Sequence, residues 1–159
     1  MQKPEIVKFD MKGAKPSTPL MKEKVQFLVQ HHMAHPTWTI EQVHDYHLNQ
    51  NGWSGGLGYN FWIAKDGTIY EGRGFTVGAH VGGKNSISIG IGYQGDLQKQ
   101  ELTSEQLLAG ARLNAWLLEH LNLNLNAIVG HRDLAATSCP GANFSMDKLK
   151  EQVKELLAK

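Results

Sequence analysis

The sequence predicts a single α/β domain: a central mixed β-sheet flanked by about three helices. Three observations predict it. Short strand-like segments alternate with helical ones along the chain. Two Thr-x-x-Gln capping boxes, at Thr39/Gln42 and Thr103/Gln106, open helices. An Asp66-Gly67 pair sits between two apolar runs, a strong hairpin signal. The length of 159 residues suits one domain and buries enough surface to need no disulfide staples.

Residues 1–23 contain Pro4, Pro16 and Pro19 and hold no sustained period, so they read as an irregular N-terminal arm packing across the domain that follows at 24–159. Val25, Phe27 and Val29 alternate onto one strand face, with His31 next in that series. Thr39 caps a helix with Ile40, Val43 and His47 or Tyr46 inward, and Gly52 ends it. Tyr59–Ala64 and Thr68–Glu71 flank the Asp66-Gly67 turn. Residues 72–86 hold five glycines and read as a long loop. Ile87 to Tyr93 alternates isoleucine with Ser88, Gly90 and Gly92, a strand with one nearly bare face against which something packs closely. Thr103 opens an amphipathic helix running to Leu121, Ala127–Gly130 is a short buried strand ending at His131, and Ser145 caps a last helix.

Composition excludes several function classes. Lys plus Arg total 16 against 15 acidic residues, a net charge of +1, which gives no electrostatic case for nucleic-acid binding. Apolar residues at 41% and charged ones at 19% describe a globular chain, and no apolar run is long enough to insert in a membrane. Met1–Lys15 lacks the apolar core of a signal peptide, so synthesis in the cytoplasm is expected.

Eight histidines and one cysteine carry the chemistry. Two strands end in histidine, at His31/His32 and at His131, and Cys139 follows in a loop closed by Pro140 and Gly141. Strand ends and the loops beyond them converge on one edge of an α/β sheet. Two imidazoles and a thiolate can hold zinc with a fourth position left for water. The alternative is a buried, inert Cys139 among ordinary histidines. His44 and His47 share a helix face, but such pairs are usually solvated or half-buried rather than ligands. His35 and His120 read as surface histidines. Arg132 and Asp133 either orient metal ligands or pin their loop. Trp62 reads as core, whereas Trp38 and Trp53 could line a groove.

Six segments occur in order: Val29-Gln30-His31-His32-Met33-Ala34, Gly58-Tyr59-Asn60-Phe61, Asp66 through Arg73, Gly78-Ala79-His80, Asn85 through Ile91, and Gly130-His131-Arg132-Asp133 through Thr137-Ser138-Cys139-Pro140-Gly141. Together they resemble the zinc N-acetylmuramoyl-L-alanine amidases of the phage T7 lysozyme and peptidoglycan-recognition-protein type. The resemblance implies that fold, with zinc at one edge of the sheet, and hydrolysis of the amide between N-acetylmuramic acid and L-alanine in bacterial peptidoglycan. Carried over position by position, it implies His31, His131 and Cys139 as zinc ligands. It favours His31 over His32, a choice strand alternation alone leaves open. It implies Tyr59 as the donor or proton relay beside the metal. Thr137 stands where T7-type enzymes have lysine; threonine offers a hydroxyl and no charge, a pattern that active recognition proteins share. His80, Asn85 and His32 are expected along the substrate cleft, although Asn85 could equally fix its own loop.

The function expected is that of a monomeric phage endolysin or bacterial autolysin, reaching the wall after release from the cell. The competing reading is a peptidoglycan-recognition module without catalysis, against which Cys139 stands, since such modules typically lack that ligand. A third, an amidase that also inhibits an RNA polymerase as the T7 protein does, would need a partner surface that nothing in the sequence marks.

Overall fold

A computed structural model describes residues 1–159. Six strands form one sheet in the order β1-β4-β3-β5-β2-β6: β1 (Val7–Lys8), β2 (Phe27–His32), β3 (Phe61–Ile63), β4 (Ile69–Glu71), β5 (Ser88–Tyr93) and β6 (Ile128–Gly130). Only the β3–β4 pair is antiparallel. Its connection is the expected hairpin, closed by Ala64 N–H to Thr68 O at 2.9 Å, with Gly67 at φ +89°.

The helices are α1 (Ile40–Asp45), α2 (Ser104–His120) and α3 (Met146–Leu157). Both Thr-x-x-Gln capping boxes form, and the Ser145 hydroxyl accepts the Lys148 N–H at 3.3 Å. One expected helix is shorter than its pattern: after Asp45 the chain widens into a π-helical turn over Tyr46–Gln50. That turn keeps His47 inward while Tyr46 faces solvent, which decides between the two candidates for the inner face.

Both faces of the sheet are covered, so both parities of β2 are buried. On one face Leu28, Ile89, Ile91 and Tyr93 pack against α2 and α3. On the other, Trp62 and Tyr59 pack with Ile40 and Val43 of α1. Gln30 lies on the α2 face, where its carboxamide would be stranded without a partner. Asn114 of α2 supplies one through a reciprocal amide pair at 2.9 and 3.1 Å, and the Tyr93 hydroxyl donates to Gln30 Oε1 at 2.7 Å.

The bare face of β5 is filled by aromatic rings. A Cβ at Gly90 would stand 2.5 Å from the His80 ring, and one at Gly92 would stand 2.7 Å from the Tyr59 ring. These two glycines therefore let His80 and Tyr59 approach the sheet at the end where β2 delivers its histidines.

The N-terminal arm departs from the irregular reading. Val7–Lys8 pair in parallel with β4 at the sheet edge, Pro19 bridges Thr76, and Lys22–Lys24 form a 3-10 turn. A two-residue strand held by partners more than sixty positions away leaves no periodic trace in its own sequence. No helix is long and apolar enough to cross a membrane.

Candidate metal centre

The sheet register builds the site. Gln30 pairs with Gly130 in the parallel β2–β6 ladder, so the next residues, His31 and His131, emerge side by side at the same sheet edge. Their ring centroids are 4.7 Å apart. Cys139 is brought back to them by Arg132, whose N–H donates to Cys139 O at 2.8 Å and whose guanidinium donates to Gly141 O at 3.0 Å. Asp133 turns inward to accept the Gly130 N–H at 2.8 Å. Arg132 and Asp133 thus pin the loop.

The donor atoms of His31, His131 and Cys139 all lie within 4.8 Å of one another, with Cys139 Sγ 3.7 Å from His31 Nδ1. Tetrahedral zinc with bonds of about 2.0–2.3 Å needs ligand atoms about 3.3–3.8 Å apart. The Cys139–His31 pair already has that spacing, and two imidazoles and a thiol gathered within 4.8 Å, half-open to solvent at His131 and Cys139, fit a metal that keeps a position for another ligand. His32, by contrast, points to the opposite face of the sheet: its Nδ1 accepts the Leu97 N–H at 3.0 Å, and Asp96 lies 3.9 Å away.

Electrostatics prepare the nitrogens. Burial, reinforced by His80, His131 and His32, holds His31 well below the ordinary imidazole range, and burial lowers His131. Both rings are therefore neutral near pH 7, the form that ligates a metal. Burial pushes the Cys139 thiol up to about 11, so binding a cation there must displace its proton. Tyr59 stacks at a tilt 5.4 Å from His31, is 9% exposed, and places its hydroxyl 3.5 Å from His32 O. Burial and the neighbouring Cys139 raise its pKa, which keeps the phenol a proton donor.

The other expected site residues fall in two places. Thr137 is exposed on the Cys139 loop, where its Oγ1 accepts the Cys139 N–H at 3.2 Å; accepting leaves the hydroxyl proton to donate. His80 lies behind His31, 9% exposed, with its Nδ1 2.8 Å from His31 Nε2. Asn85 Oδ1 accepts the N–H groups of His80 and Val81, both at 2.9 Å. For His32, His80 and Asn85 the contacts seen are with protein groups.

Several contributors carried little sequence signal. Ser88 touches His80, and Asn60 staples the glycine-rich loop by donating to Gly74 O and Thr76 O while accepting the Gly90 N–H. Arg73 donates to the carbonyls of Leu57, Val77 and Gly56. Asn60, Arg73 and Ser88 all lie inside the six ordered segments, but nothing in those segments marks which groups they bind.

His44 and His47 correct an expectation. They are buried, and each accepts a backbone N–H: Leu57 onto His44 at 3.0 Å, Gly58 onto His47 at 2.9 Å. They pin the segment leading to Tyr59. Burial, with Arg73 and His44 nearby, pulls His47 down to about 4, against about 6.5 unfolded. The unfolded chain therefore binds the extra proton between those values, and stability falls as pH drops from about 6.5 to about 4. His47→Asn is expected to flatten that fall by up to about 1.4 kcal/mol per pH unit, read by urea unfolding of chelator-treated protein. An unchanged slope would refute the assignment.

Known proteins share the sequence and the fold that carry this site. Residues 21–142 match the family described as N-acetylmuramoyl-L-alanine amidase. The chain is 40% identical over 107 residues to peptidoglycan-recognition protein SC2 of Drosophila melanogaster, covering 66% of this chain and 58% of that protein. It is 36% identical over 127 residues to peptidoglycan-recognition protein 2 of Holotrichia diomphalia, covering 74% and 67%. The chain thus spans well under two thirds of the SC2 length. Among solved structures, the Clostridium intestinale endolysin N-acetylmuramoyl-L-alanine amidase LysCS superposes with a TM-score of 0.85 at 31% identity, over 96% of this chain and 97% of that one. Wild-type Drosophila PGRP-LB gives 0.74 at 26%, over 87% and 89%. Endolysin and recognition protein thus share one scaffold with this chain, and the matched stretch contains all three converging side chains: the chain belongs to the N-acetylmuramoyl-L-alanine amidase family.

Proposed function

We propose that this chain is a zinc-dependent amidase that cleaves the bond between N-acetylmuramic acid and L-alanine in peptidoglycan, acting as a monomeric endolysin or autolysin. The convergence of His31, His131 and Cys139 beside the Tyr59 phenol carries the reading. The likeness to a clostridial endolysin over nearly the whole of both chains supports the lytic role, with access to the wall following release from the cytoplasm.

His31, His131 and Cys139 would hold the metal. Zinc, when bound, supplies Lewis acidity toward a carbonyl and acidifies a water to a pKa of about 7. The protein does the rest. Neutral His31 and His131 offer lone pairs, and Cys139 gives up its proton on ligation. Tyr59, kept protonated by burial, donates to the scissile carbonyl oxygen as negative charge grows there. The Thr137 hydroxyl stands on the loop beside Cys139 and can donate to the same substrate group without a charge.

Tyr59→Phe removes only the hydroxyl, so turnover is expected to fall about 10²–10³-fold, the usual loss for one oxyanion donor, while zinc affinity stays within a few-fold. A parallel loss of zinc would make Tyr59 structural instead.

A second reading, recognition without cleavage, is favoured by the curated relatives, which are named recognition proteins. Mass spectrometry of purified peptidoglycan after digestion separates the two. Intact stem peptides with a free L-alanine amine, lost on chelation and regained with zinc, are expected. Uncleaved walls with a folded, zinc-loaded protein would establish recognition.

A further inference from the structure

His80 is nine-tenths buried and touches His31, yet nothing in the proposed reaction uses it. Its hydrogen bonds have a forced direction. Ser88 Oγ lies 2.7 Å from Lys84 O, a carbonyl that can only accept, so the single hydroxyl proton points there. The bond between Ser88 Oγ and His80 Nε2, at 3.2 Å, must then be donated by the imidazole. Around His80 stand His31, His131 and Arg73, with no carboxylate to stabilise a second ring proton. A neutral ring protonated on Nε2 presents a lone pair on Nδ1. His31 Nε2, 2.8 Å away, must donate to that lone pair, and His31 is left with a bare Nδ1. That is the nitrogen 3.7 Å from Cys139 Sγ.

The surroundings fix His80 in place for this task. Asn85 Oδ1 clamps the backbone on both sides of His80 by taking the successive N–H groups of His80 and Val81. Gly90 and Gly78 leave the space the ring occupies, since a Cβ at either would come within 2.5 and 2.9 Å of it.

We propose that Ser88 and His80, with Asn85 holding the His80 backbone, form a tautomer-setting relay that presents His31 Nδ1 to the metal before any metal arrives. The inference rests on the zinc reading above. It gives His80 a positioning role behind the metal ligand, acting through His31, with Asn85 fixing its backbone. Second contacts of this kind commonly alter metal affinity 10–100-fold.

Long-range ¹H–¹⁵N correlation spectra of metal-free wild-type protein at neutral pH test the direction of the relay. His31 and His80 are both expected as Nε2–H tautomers; a His31 protonated on Nδ1 would overturn the proposal. Zinc dissociation constants by competition with a chromophoric chelator test its consequence. His80→Phe removes the acceptor and is expected to weaken zinc 10–100-fold. His80→Asn keeps an acceptor near the Nδ1 position and is expected to recover most of that loss. Ser88→Ala frees His80 to switch tautomer, with a smaller loss and a mixed His31 signal. Equal affinities across wild type, His80→Phe and His80→Asn would overturn the relay while leaving the zinc site standing. A wild type that binds no zinc would sink the amidase reading, and the spectra would still decide the relay.

Discussion

Cys139→Ala is expected to lower amidase turnover by at least about 10³-fold, the several kcal/mol that a metal contributes at a developing negative charge. The fold should survive, because the loop is anchored by Arg132 to Cys139 O and Gly141 O rather than through the sulfur. What disappears is the linkage between metal and stability. Zinc at a hundred times its dissociation constant stabilises a folded protein by about 2.7 kcal/mol. Wild type should therefore gain Tm with added zinc and the variant should not. Activity retained in Cys139→Ala, with no zinc-dependent rise in Tm for either protein, would remove the metal from the mechanism.

The largest stability effect is expected at Asn114. Asn114→Ala strips Gln30 of its reciprocal amide partner where no water reaches, since both residues have essentially no exposure. It also opens a small void under the Tyr93 hydroxyl, which Gly110 accommodates closely. Losing both hydrogen bonds of the amide pair, with Gln30 left only Leu28 O and the Tyr93 hydroxyl, together with a void costs about 3 kcal/mol. For a domain of this size that is a fall in Tm of roughly 6–12 °C. Gln30→Ala combined with Asn114→Ala should cost less than the sum, with a coupling of about 1–3 kcal/mol, because the second change no longer strands a partner. Strict additivity in thermal or urea unfolding would mean the two amides act independently.

Much of this was written locally in the chain. Thr39, Thr103 and Ser145 announce helix starts through side-chain geometry complete within four residues, and Asp66-Gly67 announces its turn the same way. The converging trio of His31, His131 and Cys139 is legible because all three lie in the ordered segments that carry the family resemblance. What stayed hidden depends on partners distant in sequence. By spacing alone His44 and His47 read as a solvated or half-buried helical pair, since their acceptor role exists only once Leu57 and Gly58 fold over them. Nothing in the His80 loop shows the tight seat of its ring against Gly90, which arises from the sheet. The choice between His31 and His32 turned on which face of β2 meets Cys139, and the parallel register with β6 decides that.

The arm's attachment also bears on how this protein can be cut and recombined. Family likeness begins at residue 21, yet Phe9 N–H reaches Glu71 O, Lys15 N–H reaches Ser54 O and the Lys12 carbonyl meets His44 Nε2. A fragment trimmed to the matched stretch would bare the outer hydrogen-bonding groups of β4, an invitation to pair with another chain. It would also lose a tether on the histidine that positions the approach to Tyr59, and, at the other end, the helix that closes the core at Leu149 and Val153. Anyone grafting this domain onto a new partner would have to carry the belt along, because the transplantable unit is longer than the stretch matched to the family.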